Sequence, residues 1–322
     1  MVKASVIVPL HRDSKRFRRI LDSVRRLPTT HNYEVLVVSD APVPDLPPDV
    51  AWVGTSSEVD TSPAVKRDIA TAGARGSLLA FLDDDAYPRA DWIDAALGVF
   101  RDETIHAVGG PGLTPPESSW RERLGGAIYE SRLGSGPLRY RFLPGTGRRN
   151  CDDLPAYNLW IRKAALSQIG GWGSTYYGGE DTKVCLDLSR SGFRLVYEPQ
   201  VVVYHYRRDV LRPHLRQVAN VGRHRGFFVR RFPESSRRPV YFLPALIVLG
   251  LLPMAFLLGL ALVWKPIPVL AAGAALWLAV STTAVERAGI AALAFPGVLL
   301  CHHVAYGISF LRGLFSRREI VT

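Results

Sequence analysis

Apolar residues along this chain come first in short runs and then in long ones. Residues 4–10 (ASVIVPL) and 33–40 (YEVLVVSD) have strand length and strand composition, and 50–54 (VAWVG) is a shorter run of the same kind. Between the first two, 14–27 carries apolar positions at helical spacing with arginines on the other side. Residues 62–74 begin Ser62-Pro63, a helix start. Residues 77–85 (SLLAFLDDD) predict a further strand, and 91–101 the helix after it. Strand and helix in turn predict a parallel, doubly wound α/β sheet, whose ligands bind at the carboxyl ends of the strands. Beyond 239 the pattern changes. Residues 240–264 and 266–285 carry no charge, and 288–311 has only His302 and His303 as titratable nitrogen ligands.

A bilayer core needs about 20 apolar residues per helix, and each of the three runs meets or approaches that length. The link at Lys265, flanked by Pro266 and Pro268, suits a helical hairpin. Pro296, His302 and His303 make the third run the least suited to cross, because polar groups in lipid are costly. Two spans and a third segment lying in the membrane would also return Arg312, Arg317 and Arg318 to the side of the N-terminal domain. No signal-peptide pattern precedes residue 4, so a multi-pass cell-membrane protein with its first 230 or so residues in the cytoplasm is expected.

The net charge of +11 on 322 residues has a definite location. Residues 207–238 hold ten arginines against Asp209 and Glu234, directly before the first long apolar run. That position fits anionic lipid headgroups rather than nucleic acid. Cys151, Cys185 and Cys301 form neither a metal spacing nor a disulfide framework, as in a reducing compartment. The chain therefore divides into 1–206, an α/β domain; 207–238, a basic juxtamembrane collar; and 239–322, an α-helical membrane region.

Two predicted strands end in acids: Asp40 after the second, and Asp83, Asp84 and Asp85 after the fourth. Three crowded carboxylates are unfavourable inside a core, so they face either water or a cation. In an extended segment Asp83 and Asp85 share one face and Asp84 takes the other. No glycine-rich phosphate loop follows the first strand. A divalent cation, Mg²⁺ or Mn²⁺, that joins carboxylates to phosphates would take over that role. The alternative is a solvated turn before the helix near Asp91.

The ordered set of SVIVPLHRD, YEVLVVSDAP, AVKRDIATAGARGSLLAFLDDDAYP and AYNLWIRKAAL…IGGW…YYGGEDTKVCLDLSRSGFRLVYEPQVVVYH resembles family 2 glycosyltransferases of the GT-A fold. The resemblance runs through most of residues 4–206. It implies a Rossmann-like, doubly wound mixed sheet and an inverting, metal-dependent transfer from a nucleotide-sugar donor, a UDP-sugar above all. Asp83 to Asp85 stand for the D-x-D element and Glu180-Asp181 for the Glu-Asp motif.

By that resemblance Pro9, Asp40, Arg67, Asp83 and Asp84 lie on the donor side, with Asp83 at the ribose. Asp85 holds the metal, and His205 is either a third ligand or a polar plug in the core. Arg67 either sits near the diphosphate or is an exposed residue of an amphipathic helix. On the acceptor side, Gly179 with Gly178 lets the backbone approach substrate, Trp172 stacks on a sugar or packs, and Asn158 supports the loop. Asp181 removes the acceptor's proton, or else caps its helix; Glu180 orients acceptor or loop. The second strand ends Ser39-Asp40-Ala41-Pro42 where the family commonly has Asp-Asp-Gly-Ser, and Asp68 stands where it often has Asn. No Gln-x-x-Arg-Trp follows Glu180-Asp181, which implies transfer of one sugar per encounter. The expected acceptor is a membrane-bound hydroxyl, such as a lipid-linked sugar or glycolipid of cell-envelope or exopolysaccharide assembly. The alternatives are a polyprenyl-phosphate sugar synthase and a non-catalytic scaffold.

Overall fold

The computed structural model describes residues 2–317 apart from 56–60, 146, 175 and 177; Arg318 lies outside the described residues. The strands are β1 (Ala4–Pro9), β2 (Tyr33–Ser39), β3 (Val50–Gly54), β4 (Leu78–Phe81), β5 (Ala86–Pro88), β6 (Ile105–Gly109), β7 (Gly112–Leu113), β8 (Arg149–Cys151), β9 (Leu159–Arg162), β10 (Arg194–Tyr197) and β11 (Val203–His205). The helices are α1 (Lys15–Arg25), α2 (Pro63–Gly73), α3 (Trp92–Val99), α4 (Trp120–Glu130), α5 (Arg132–Ser135), α6 (Lys163–Gln168), α7 (Glu180–Arg190), α8 (Arg212–Arg231), α9 (Pro233–Ser236), α10 (Pro239–Trp264), α11 (Pro266–Thr282), α12 (Val285–Ala288) and α13 (Phe295–Leu314). They form two compact units, the first built from Met1–Pro115 with Leu143–Tyr206 and the second from Pro116–Phe142 with Arg207–Ile320.

The first unit is built on a sheet in the order β3-β2-β1-β4-β9-β6-β10-β8. Strands β1 to β4 pair in parallel, as the alternation of elements predicts. The sheet as a whole is mixed, because β9 runs antiparallel to β4 and β6, and β8 antiparallel to β10. All six residues of β1 are buried, as a strand covered on both faces requires. Helix α1 starts at Ser14, whose hydroxyl accepts the Phe17 N–H, and it buries Phe17, Ile20, Leu21 and Val24 against the sheet. The chain leaves β1 for β2 on one side and enters β4 on the other. The sheet thus changes direction at β1, and a crevice opens at the carboxyl ends of β1 and β4. A three-stranded sheet, β5-β11-β7, stands beyond that edge and brings His205 to the residue after the acidic turn: β11 pairs His205 with Ala86.

The start of β4 is held by a buried carboxylate. Ser5 Oγ donates to Glu34 Oε1 at 2.6 Å, while the Arg75 backbone N–H and Nε donate to the two Glu34 oxygens at 2.6 and 2.7 Å. The Gly76 N–H closes the circuit on Ser5 Oγ at 2.9 Å. A side chain at Gly76 would meet the Ala4 and Ser5 backbone at 2.6 Å, so only glycine fits there.

The second unit contains the long apolar runs. Among the described residues one helical stretch is long and apolar enough to cross a membrane, Val285–Leu314. This is the third run, the one expected to be least suited. The first run counts only if Pro239–Leu251 and Pro253–Trp264, bent by 45°, make one broken span, and Pro266–Thr282 is shorter still. Pro253 accounts for the break, since a proline inside a helix removes one hydrogen bond and clashes with the preceding turn. The basic stretch is not wholly a surface collar either. Arg207 is buried with its guanidinium 5.4 and 5.1 Å from the Tyr129 and Phe142 ring centres, and Arg225 lies over Tyr241.

Burial alone would raise the Glu34 pKa, but the donors from Ser5 and Arg75 outweigh it and hold the carboxyl below its ordinary value of 4.5. Its contribution to stability is therefore full above about pH 4.5 and is lost as pH falls through the lower native pKa. Glu34→Gln should cost about 1–3 kcal/mol at pH 7. The difference in thermal midpoint between variant and wild type should close as the pH falls below 4.5.

Candidate active site

The site is assembled from α2. Apolar burial accounts for Ala64 and Ala70 on this helix, but its other buried residues, Lys66 and Arg67, are charged. Lys66, Arg67 and Asp68 fan over about 200° of the helix, and each reaches a different segment. Lys66 Nζ donates to Leu10 O at 3.0 Å and pairs with Asp40 Oδ2 at 2.7 Å, joining the ends of β1 and β2. Arg67 Nη2 donates to Asp83 Oδ1 at 2.7 Å, and its Nη1 lies 3.5 Å from Glu180 Oε1. Asp68 accepts the backbone N–H groups of Trp172 and Gly173 at 2.7 and 3.1 Å.

The acidic segment is a turn rather than the end of a strand. Strand β4 stops at Phe81, and the turn is closed by the Ala86 N–H donating to Asp83 O at 3.1 Å. Asp83 and Asp85 still converge, by the turn and not by strand alternation. Asp84 turns toward β1 and accepts the His11 N–H at 2.9 Å. One carboxylate oxygen each from Asp83 and Asp85 and one His205 ring nitrogen lie within 4.8 Å of one another, all on half-buried residues. His205 Nε2 is 3.0 Å from Asp85 Oδ1, and its ring stacks on Tyr157 at 4.5 Å, which fixes its direction.

Electrostatics at this cluster favour a cation. Desolvation raises the Asp83 pKa above the usual aspartate value, with Arg67 pulling down and Asp85 pushing up. A dication between the carboxylates would reverse that direction. Two carboxylates and one imidazole, open on one side, are a donor set that accepts a hard or borderline divalent ion and leaves positions for phosphate and water. The residues fit such an ion.

Asp40 is held ionised by protein donors. Burial opposes its charge, but Lys66, Thr55 Oγ1 at 2.6 Å and the Thr61 N–H at 3.3 Å hold it ionised far below the ordinary range. Pro9 is buried at the end of β1, opposite Val38. Gly179 is the residue before α7, and Gly178 adopts a left-handed φ of 90°. The next two residues open α7. Glu180 Oε2 accepts the Gly178 N–H at 2.6 Å, and Asp181 Oδ1 accepts the Thr182 N–H at 2.7 Å. Gly179, not Asp181, holds the capping position.

Three residues serve the scaffold in ways the sequence left open. Arg67 is buried, not exposed on an amphipathic face. Trp172 is buried as well, packed edge-on to Phe81 at 4.9 Å with the Arg67 guanidinium 4.6 Å from its ring centre, so its faces are taken up by packing. Asn158 lies in the core, where its Oδ1 accepts the Trp92 indole N–H at 2.9 Å and its Nδ2 donates to Val201 O at 2.7 Å. The sequence reading missed Lys66 and the tether from Asp68. Their signal was the unbroken Lys66-Arg67-Asp68 triplet on a helix that must bury one side.

No protein-family model matches the chain. It is 28% identical over 239 residues to the pre-mycofactocin glycosyltransferase of Mycobacterium tuberculosis, in strains CDC 1551 / Oshkosh and ATCC 25618 / H37Rv alike. The match covers 72% of this chain and 48% of that protein, so the chain spans about half the length of the curated relatives it matches. Among solved structures it resembles a mannosyltransferase from Pyrobaculum calidifontis in complex with GDP-Man and Mn²⁺. The TM-score is 0.62 at 19% identity, covering 98% of this chain and 88% of that one. The fold is GT-A.

Arg67→Met leaves Asp83 and Glu180 without their shared cation. Breaking a buried pair from one side should cost about 3–5 kcal/mol of stability. Arg67→Lys should recover only part of it, since a point charge cannot reach both carboxylates as a planar guanidinium does. Chemical denaturation of the three proteins checks both statements.

Proposed function

We propose that the chain is a glycosyltransferase. It moves one sugar, with inversion, from a nucleotide-sugar donor to a hydroxyl of a membrane-bound acceptor, a lipid-linked sugar or glycolipid. The observation that carries this reading is the continuity of the site: Asp83, Asp85 and His205 converge on one side of Arg67, and Glu180-Asp181 stand on the other. A donor diphosphate belongs at the first group and an acceptor hydroxyl at the second. The GT-A fold and the curated relatives support the same class of reaction.

Each residue has a distinct task in this scheme. Asp83, Asp85 and His205 hold a divalent cation; His205 favours Mn²⁺ over Mg²⁺, because imidazole is a poorer ligand for the harder ion. When bound, the ion offsets the charge that develops on the departing diphosphate. Arg67 keeps Asp83 and Glu180 in place and adds positive potential behind the leaving group. Asp40, fixed by Lys66, offers an ionised acceptor to an N–H of the donor base. Glu180 accepts from Arg67 and the Gly178 N–H and orients the loop, and Asp181, in the first turn of α7, is the base that takes the proton from the attacking hydroxyl. An acceptor that is already an anion, such as a polyprenyl phosphate, needs no such base.

Two measurements test the proposal. Purified protein should release nucleoside diphosphate from one of a panel of UDP- and GDP-sugars only with Mn²⁺ or Mg²⁺ present. Asp85→Asn should weaken Mn²⁺ binding by about 10-fold or more, by analogy with lost metal-site interactions. Activity that survives exhaustive chelation would remove the metal from the scheme. Asp181→Asn should lower turnover by about 100-fold or more while donor affinity stays within a few-fold, the range expected for losing a general base. Near wild-type turnover in that variant would point to the polyprenyl phosphate acceptor instead.

A further inference from the structure

The peptide bond between Leu10 and His11, just past the end of β1, is gripped at both of its polar atoms. Its carbonyl accepts from Lys66 Nζ at 3.0 Å, and its N–H donates to Asp84 Oδ2 at 2.9 Å. The Leu10 N–H donates to Val38 O at 2.8 Å, so the same residue also continues the ladder toward β2. Backbone at the end of a strand often finds its partners in water. Here a cation faces the carbonyl and an anion faces the N–H. Both bonds are charge-assisted, and each polarises the amide in the sense that strengthens the other.

The two side chains come from opposite ends of the crevice. Lys66 is 2% exposed, and its ammonium reaches Leu10 O and Asp40 Oδ2, the latter at 2.7 Å. A buried ammonium depends on such partners, because it has left its hydration behind. Asp84 is the middle acid of the turn after β4. Its neighbours Asp83 and Asp85 converge with His205 on the candidate metal position, whereas Asp84 turns to the peptide. A continuous polar line therefore runs from Asp84 through one amide and Lys66 to Asp40. It starts in the acidic turn and ends at the carboxylate that follows β2.

Releasing the peptide at one end loosens it at the other. Without the Asp84 acceptor the amide plane is free to turn toward water, and its carbonyl moves away from Lys66. Lys66 then holds Asp40 from one side only, and Asp40 loses its fixed direction.

We propose that Lys66 and Asp84 are positioning residues that act on the donor's base through the Leu10–His11 peptide. An acid in the metal turn thus sets affinity at the far end of the donor. The proposal rests on the donor reading above, with the diphosphate at Asp83 and Asp85 and the base at Asp40.

Asparagine separates this role from the others that Asp84 could have. It keeps an oxygen that accepts the His11 N–H but carries no charge and is a poor metal ligand. Full-length wild type, Asp84→Asn and Asp84→Ala are titrated with UDP and GDP in Mn²⁺, with inorganic pyrophosphate in Mn²⁺, and with Mn²⁺ alone. Asp84→Ala should weaken binding of the nucleoside diphosphate that wild type prefers by about tenfold, the size of one lost hydrogen bond to a charged group. Pyrophosphate and Mn²⁺ alone should stay within about twofold of wild type, as should every ligand in Asp84→Asn. In a Lys66→Met background, Asp84→Ala should have no further effect, because both changes release the same amide. Lys66→Met also strips Asp40 of its buried cation; should that variant not fold, the Asp84 series decides alone.

Asparagine as harmful as alanine would make Asp84 a charge rather than an acceptor, and overturns the proposal. Equal losses for pyrophosphate or for Mn²⁺ alone would place Asp84 at the metal end and overturn it too, as would additive losses in the double variant. Wild type that binds neither UDP nor GDP with Mn²⁺ would remove the donor reading and this proposal together. Wild-type binding that Asp84→Ala leaves intact would remove this proposal only.

Discussion

One guanidinium holds the candidate site together. Arg67 is buried, and its two terminal nitrogens point to Asp83 in the turn after β4 and to Glu180 at the start of α7. Trp172 lies against it, and Phe81 lies against Trp172. A planar, always-charged group is suited to this place because it can face two carboxylates and an aromatic ring at once. Without it, the Asp83 and Glu180 carboxylates would repel each other with no cation between them. The geometry of the metal cluster, the orientation of Glu180 and the packing of the 170–173 loop all depend on one side chain.

Much of the first unit was legible because its strands are short, apolar and separated by helices with clear starts. Ser14 and Ser62 cap the helices that the pattern predicts, and β1 to β4 pair in parallel as strand-helix alternation requires. The position of the acids at the sheet edge followed from the same logic. Their convergence did not, because Asp84 and Asp85 sit in a turn whose shape depends on the Asp83–Ala86 hydrogen bond and on His11, seventy-three residues away in sequence. The partners of Asp40 and Glu180 were equally out of reach. A lysine and an arginine on α2 look like solvated residues until the sheet is folded against them. The antiparallel β9, inserted between β4 and β6, carries no mark in a sequence of four apolar residues.

In the second unit, composition showed the apolar runs but not which of them can be surrounded by lipid. Length and hydropathy rank Val285–Leu314 first. The helix packed against it, α8, lies more than seventy residues earlier in the chain, and the glycines of α8 acquire meaning only once the Tyr306 and Phe310 carbonyls of α13 are seen beside them. Similarly, Arg207 was counted with a surface charge cluster, whereas Tyr129 and Phe142 enclose it.

Helix α2 sets a phase as well as a set of contacts. Lys66, Arg67 and Asp68 address three different segments because each is turned about 100° from the one before it. The angular origin of that fan is the cap at Ser62, whose hydroxyl accepts the Val65 N–H, followed by Pro63 in the first turn. Gaining or losing one residue between the cap and Lys66 would rotate the whole fan together. Asp40, Asp83 with Glu180, and the Trp172 backbone would then lose their partners in a single step. Substitutions elsewhere on the helix leave the fan in phase, so this short stretch tolerates changes of side chain far better than changes of length.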